Sequence, residues 1–198
     1  MPKIGPRWRV QFRRKRERKT DYRQRLKLMR SGKPRLVVRV SLKHVSAQVI
    51  RGAQSGDLVI ASAHSKELEK LGWKAYTSSI PAAYLVGLLC GFRAHKGNVD
   101  ECVLDIGMQI PTQGGKIFAV LKGVLDAGVR VPHGEGALPV EERIRGEHIA
   151  QYAAKLKSGS ESQYKARFSG YLQKGFSPEQ LPAHFNQIKQ AIIKQYGA

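Results

Sequence analysis

The chain holds 198 residues, enough for one domain with a true core plus extensions, or for two small domains. Lys and Arg number 35 against 15 Asp and Glu, a net charge of +20, while 41% of the residues are apolar. A folded surface with that excess repels itself and points to a polyanionic partner. No run approaches the ~18 uninterrupted apolar residues of a membrane span, and the start MPKIGPRWRVQFRRKRERK lacks the apolar stretch of a secretory signal. Nucleic acid is therefore favoured over a membrane.

Most of the excess sits at the front. Residues 1–35 carry 15 Lys/Arg against Glu17 and Asp21, net +13, whereas residues 36–198 carry 20 against 13 acids, net +7. Arg7, Arg9, Arg13, Arg14, Lys15, Arg16, Arg18 and Lys19 alternate with Trp8 and Phe12, and Tyr22 follows. A charge run alone reads as a solvated tail. Aromatic rings that stack on bases, and guanidinium groups that grip phosphate with two bonds, favour an arm over residues 1–19 that orders on an RNA backbone. Asp21 and Gln24 then predict a capped helix with Tyr22, Leu26 and Met29 on its docking face. Arg23, Arg25, Lys27 and Arg30 present cations, and Ser31-Gly32-Lys33-Pro34 ends it.

Three strand-like runs follow, Leu36–Val40, Val45–Ile50 and Leu58–Ala63, with connectors short enough for an antiparallel meander. Ser65–Leu71 reads as a short helix capped by Ser65. Pro81–Lys96 reads as a longer one, with Leu85, Leu88, Leu89 and Phe92 on one face. Its small side, Ala83, Gly87, Cys90, Gly91 and Ala94, suits close packing on a sheet. Cys102–Ile106 has the apolar character of a buried central strand. Gly115–Gly128 is a helix with Phe118, Leu121 and Leu125 inward. The order βββαβα predicts an α/β sandwich on a mixed sheet, its last strand parallel to the first, the topology of ribonuclease-H-like folds.

The remainder is helical. One helix is expected over Val140–Lys157, with Ile144, Ile149, Tyr152, Ala153 and Leu156 apolar. A polar break leads to a second over Glu161–Lys174. Pro178 begins another, and Pro182 forces a first turn and a restart toward Gln195, with Phe185, Ile188 and Ile192 on the apolar face. The chain thus divides into an arm (1–19), an α/β unit (20–135) and a helical extension (136–198).

Catalysis finds little support. A two-metal nuclease needs clustered carboxylates on the first strands; the first strand offers Arg39, and Asp105 reads as a loop cap. Gly114-Gly115-Lys116 lacks the outer positions of a phosphate loop, which hold Ile110 and Ile117 instead. The helix N-terminus at Lys116 can still meet an RNA phosphate. His64 and His133 suit loop hydrogen bonds, and no nucleophile has a recognisable setting. Cys90 and Cys102 read as two buried thiols of a reducing compartment. No cofactor or small-molecule substrate is indicated. An RNA-processing enzyme and an RNA chaperone acting through its tail remain the alternatives to a structural RNA binder.

Several stretches carry a family resemblance. Thr20-Asp21-Tyr22-Arg23-Gln24-Arg25-Leu26 is followed by Ser31-Gly32-Lys33-Pro34-Arg35-Leu36-Val37-Val38-Arg39. Ala63-His64-Ser65-Lys66-Glu67-Leu68, Gly72-Trp73-Lys74, Pro81-Ala82-Ala83-Tyr84-Leu85 and Leu104-Asp105-Ile106-Gly107 come next. Asp126-Ala127-Gly128, Pro132-His133-Gly134-Glu135, Arg145-Gly146-Glu147-His148-Ile149-Ala150 and Pro178-Glu179-Gln180-Leu181-Pro182-Ala183-His184-Phe185 complete the series. Together these resemble the archaeal form of the large-subunit ribosomal proteins that bind 5S rRNA, the universal L-eighteen family. The resemblance implies a non-enzymatic cytoplasmic protein of the ribosome's central protuberance. Its partners would be 5S rRNA, 23S rRNA and neighbouring ribosomal proteins, including the other 5S-binding protein. It also implies that the arm and the meander side face RNA, adding Lys33, Arg35, Arg39, Lys43, His44 and His64 to the candidate contacts. Leu42 and Val86 depart from the residues usual in the family.

Overall fold

The computed structural model describes residue 5 and residues 9–53, 55–134 and 136–197; Arg7, Trp8 and Glu135, named above, lie outside the described residues. Strands β1 (Arg35–Val40), β2 (Val45–Ala53), β3 (Gly56–His64) and β4 (Val103–Asp105) form one sheet in the order β3-β2-β1-β4. β2 runs antiparallel to β1 and to β3, with Val38 opposite Ala47 and Ala47 opposite Ala63. β4 lies parallel to β1, Arg35 beside Val103. The mixed sheet and the parallel return of the fourth strand agree with the pattern of the sequence.

β4 is nevertheless a three-residue strand at the margin of the sheet, not a buried central one. The Asp105 carboxylate accepts the Gly107 N–H at 2.9 Å, and Gly107 adopts φ +63°. That local turn pulls Ile106 out of the ladder.

One sheet face buries Leu36, Val38, Val45, Ala47, Val49, Ala61 and Ala63. Helix α4 (Ile80–Lys96) covers it, with Ser79 accepting the Ala82 N–H as N-cap and Pro81 in the first turn. Helix α5 (Lys116–Asp126) packs along α4. The small side of α4 divides its contacts. The Cys90 thiol lies against the Val49 backbone of β2, but Gly87 and Gly91 face α5. A Cβ on Gly87 would stand 2.1 Å from the Val120 carbonyl oxygen, and one on Gly123 only 2.2 Å from that of Tyr84. Close helix–helix approach is what these glycines permit. On α5 the buried residues are Ile117, Ala119, Val120, Leu121, Gly123 and Val124, while Phe118 and Leu125 are half-buried. Burial pushes the Cys90 and Cys102 thiols up, to about 12 and about 11, so both stay protonated near neutrality.

Helix α3 (Ser65–Lys70) is capped by His64 rather than Ser65. The His64 side chain accepts the Lys66 N–H, and Glu67 reaches back to the His64 N–H at 2.9 Å. Ser65 is fully buried, and its hydroxyl accepts the Val45 N–H and meets His44 Nδ1.

The helix expected over 140–157 is two, α6 (Glu141–Arg145) and α7 (Glu147–Gly159). Gly146 separates them at φ +82°, where a side chain would press on Leu181 and Pro81. Tyr152 is 48% exposed, not inward. The next helix also divides, into α8 (Glu161–Arg167) and α9 (Ser169–Leu172), because Phe168 turns into a small cluster with Ala153 and Tyr164. A 3-10 turn at Pro178–Gln180 leads into α10 (Leu181–Tyr196), the two-step start that the two prolines dictate. Phe185, Ile188 and Ile192 bury α10 in the main core. No described helix is long and apolar enough to cross a membrane.

At the front, α1 (Arg13–Arg16) is a single turn and α2 (Tyr22–Met29) two. Asp21 accepts the N–H groups of Arg23 and Gln24. The docking face of α2 is rotated from the apolar repeat: Tyr22, Arg25 and Leu28 are half-buried, while Leu26 is 54% exposed. An ion pair from Arg25, described below, turns that edge inward.

Two outcomes follow from the packing. Gly87→Ala forces a methyl into the α5 backbone and should cost about 3 kcal/mol of unfolding free energy; a urea midpoint unchanged from the parent would refute the contact. His184 stacks on Trp73 with centroids 5.2 Å apart and accepts the Lys74 N–H at 3.2 Å. Burial, with the Lys74 charge, holds its pKa below the ordinary histidine value. The unfolded chain then binds the proton more readily, so this contribution is full above pH ~6.5 and fades as pH falls through the lower folded value. Stability measured by urea between pH 7.5 and 5 should therefore decline. His184→Gln should decline less, leaving the slope from His148, also held low by burial.

Candidate nucleic-acid interface

The other face of the sheet carries Arg35, Val37 and Arg39 from β1 and Ser46, Gln48 and Ile50 from β2, paired in register. Across it runs an alternating row of charges. Arg25 Nη2 donates to Asp57 Oδ2 at 2.9 Å, and Arg35 Nη2 donates to the same oxygen at 3.0 Å. Arg35 Nη1 donates to Asp105 Oδ2 at 2.8 Å, and Arg39 Nη2 to Asp105 Oδ1 at 3.1 Å. Arg39 Nη1 also donates to the Asp105 and Val38 carbonyls. Five charged groups thus join α2, the β2–β3 hairpin, β1 and the end of β4. Gly107 permits the last link, since a Cβ there would stand 2.9 Å from the Arg39 guanidinium.

The arm lies over this row. Arg14 and Lys19 from the arm, Thr20, Asp21 and Gln24 at the start of α2, and Gln48 and Ile50 from the sheet complete a cleft of about 280 Å³. Phe12 packs on Tyr22 with centroids 5.5 Å apart. The arm's turn closes through Arg18, a non-glycine residue at φ 52°, with Arg18 N–H to Lys15 O and Lys19 N–H to Arg14 O. This is the double closure that usually recruits glycine, and a side chain there costs about 1 kcal/mol.

The candidate contacts separate into three groups. Arg9, Lys15, Arg16 and Arg18 on the arm, and Arg23, Lys27 and Arg30 on α2, are exposed. Among the described residues none of these seven has a carboxylate within 4 Å. Arg13, Arg14 and Lys19 lie beside them, held by Glu17 or Thr20. A second group is committed within the fold. The Arg35 side chain is 5% exposed and faces two carboxylates, so as folded it cannot reach a phosphate. That corrects its assignment as a contact: it is an internal strut. His64 spends Nδ1 on the α3 cap, its ring 5.0 Å from His44. Lys33, Arg25 and Arg39 are intermediate, paired yet partly open. The third group stands apart from the cleft: Lys43, exposed in the β1–β2 hairpin, and Lys116, whose ammonium meets the Ser78 hydroxyl at 3.2 Å.

Asp57 and Asp105 are the residues that sequence reasoning underrated. Asp105 does cap its loop, but it also holds two arginines. Only the register, which sets Val37 beside Asp105 and Arg35 beside Val103, brings those partners together. His133 donates from Nδ1 to the Val131 carbonyl, the loop role its setting suggested. Asp105→Asn leaves a buried guanidinium short of counter-charge and should cost about 3–5 kcal/mol. Asp57→Asn, at a more exposed carboxylate, should cost less. Equal losses in chemical denaturation would contradict the order of burial.

Comparison with known proteins meets this geometry. The family model described as ribosomal large subunit proteins 60S L5 and 50S L18 matches residues 6–100 and 93–134. The large ribosomal subunit protein uL18 of Methanothermobacter thermautotrophicus is 54% identical over 191 residues, covering 96% of this chain and 98% of that protein. With a family model over most of the α/β unit and a relative aligned to 96% of its length, the chain belongs to the L5/L18 family of large-subunit ribosomal proteins.

Proposed function

We infer that this chain is a structural constituent of the large ribosomal subunit that binds 5S rRNA and works, without catalysis, in the cytoplasmic ribosome. The observation that carries the reading is the set of seven exposed cations on the arm and α2 that have no carboxylate within 4 Å among the described residues, with α2 tied through Arg25 to a row of ion pairs. Phosphate contacts supply most of the affinity for an RNA backbone. Cations attached to an anchored frame lose less freedom on binding than cations on a loose tail. Phe12, exposed beside Tyr22, offers a ring for a base or sugar.

A nuclease reading fails on the chemistry of the residues present. Asp105, the carboxylate at the end of β4, is engaged by two arginines instead of standing free for a metal. The finer assignments rest on the resemblance. In them the arm (1–19) and α/β unit (20–135) grip 5S rRNA in the central protuberance. The extension (136–198) meets 23S rRNA and neighbouring proteins, the other 5S-binding protein among them. The β3-β2-β1-β4 order with its helical crossover supports a ribonuclease-H-like topology used as a scaffold.

Removing residues 1–19 should weaken 5S rRNA binding and flatten its salt dependence, each lost phosphate contact lowering the log–log slope by roughly 0.7–0.9. Arg23→Gln, Lys27→Gln and Arg30→Gln combined should reduce the slope further with the thermal melt unchanged. Filter binding from 50 to 300 mM salt reads both; a slope equal to the parent's in either variant would take that element out of the interface.

A further inference from the structure

A second cleft lies where the extension meets the α/β unit, away from the arm. Its walls are Lys74 and Tyr76 from the segment between α3 and α4, and Arg167, Gly170, Tyr171 and Lys174 from α8, α9 and the turn that follows. The space measures about 440 Å³. Three cations line it and, among the described residues, no carboxylate does; Glu69 lies 3.6 Å from the Lys174 ammonium. Lys74 and Arg167 have no acidic partner among the described residues.

Tyr76 is 47% exposed as a residue and lines the cleft, and its side chain is tethered because its hydroxyl donates to the Leu42 carbonyl. Thr77 and Ser78 tie the same hairpin, donating to the carbonyls of Lys43 and Ser41. On the other wall Tyr171 is partly buried against Phe168 and Phe176. Gly170 leaves the floor open, for a Cβ there would meet nothing within 4 Å.

We propose that this cleft is a second RNA site that takes an unpaired nucleotide, its base on the Tyr76 ring and its phosphates on Lys74, Arg167 and Lys174. A fixed, open aromatic face among cations suits a base, since stacking uses the π-face of any base and cations track the backbone. An acidic peptide would use the cations but leave the ring idle, and a continuous duplex has no base to offer. The site deepens the rRNA-binding reading and rests on it: the arm grips one RNA, while this cleft, which shares no lining residue with the arm's cleft, takes an exposed base.

The test uses the full chain. Binding of 5S rRNA is measured first, then that of a fluorescein-labelled single-stranded hexa-adenylate by anisotropy, with the arm saturated by 5S rRNA. Gly170→Leu, at an open helical position, should weaken hexa-adenylate at least about tenfold. Lys74→Gln with Arg167→Gln should lower its salt slope by roughly 0.7 per cation. Both variants should hold 5S rRNA within about twofold of the parent. Any of three results overturns the site: hexa-adenylate bound equally by Gly170→Leu and the parent, a duplex of the same length bound as tightly as the single strand, or a hexaglutamate peptide bound more tightly than the RNA. If Gly170→Leu fails to fold, the double glutamine variant decides alone. Loss of 5S binding by the parent would instead refute the proposed function, and hexa-adenylate titrated without 5S rRNA would still judge the cleft.

Discussion

A guanidinium withdrawn from water must be met by negative charge, and the arrangement of the sheet face beneath the arm follows from how Arg35 is met. Its two ends reach Asp57 and Asp105, and each of those carboxylates reaches one further arginine. Three arginines and two aspartates share a row whose inner members are the most buried. Desolvation makes such a row worth little as net stability. Its value lies in geometry, because each charge tolerates only the position in which its neighbours are satisfied.

That row gives a basic protein a stiff front. The docking face of α2 is set by Arg25 on Asp57 rather than by an apolar stripe, so Leu26 is left outside and Arg23, Lys27 and Arg30 project freely. The same two aspartates offset two of the three arginine charges on this face. The rest of the arm's repulsion is left standing, as suits a surface completed by a polyanion. The opposite sheet face obeys ordinary packing, with glycines at 87, 91 and 123 letting two helices touch backbone to backbone.

Much of this was legible in the chain. The period-2 runs, the change to helical period, the two prolines before α10 and the concentration of cations in the first 35 residues each reflect local chemistry. The misreadings share a cause. Gly146 and Phe168 break helices that their sequences would allow, because one backbone must turn beneath Leu181 and one ring must enter a cluster. His64 displaces Ser65 as a cap because the serine hydroxyl is claimed by β2, about 20 residues away. Arg35 looked like one more cation in a basic stretch, and nothing within ten residues of it reveals that it is buried.

By itself, then, the order of residues determined the element types, the mixed sheet with its parallel return, and the polyanionic character of the partner. Those depend on periodicity, turn chemistry and net charge, which are properties of neighbouring residues. The tertiary structure alone decided which cations stay exposed without a carboxylate partner among the described residues and which are consumed inside. Charges from segments tens of residues apart must come into contact before either question has an answer.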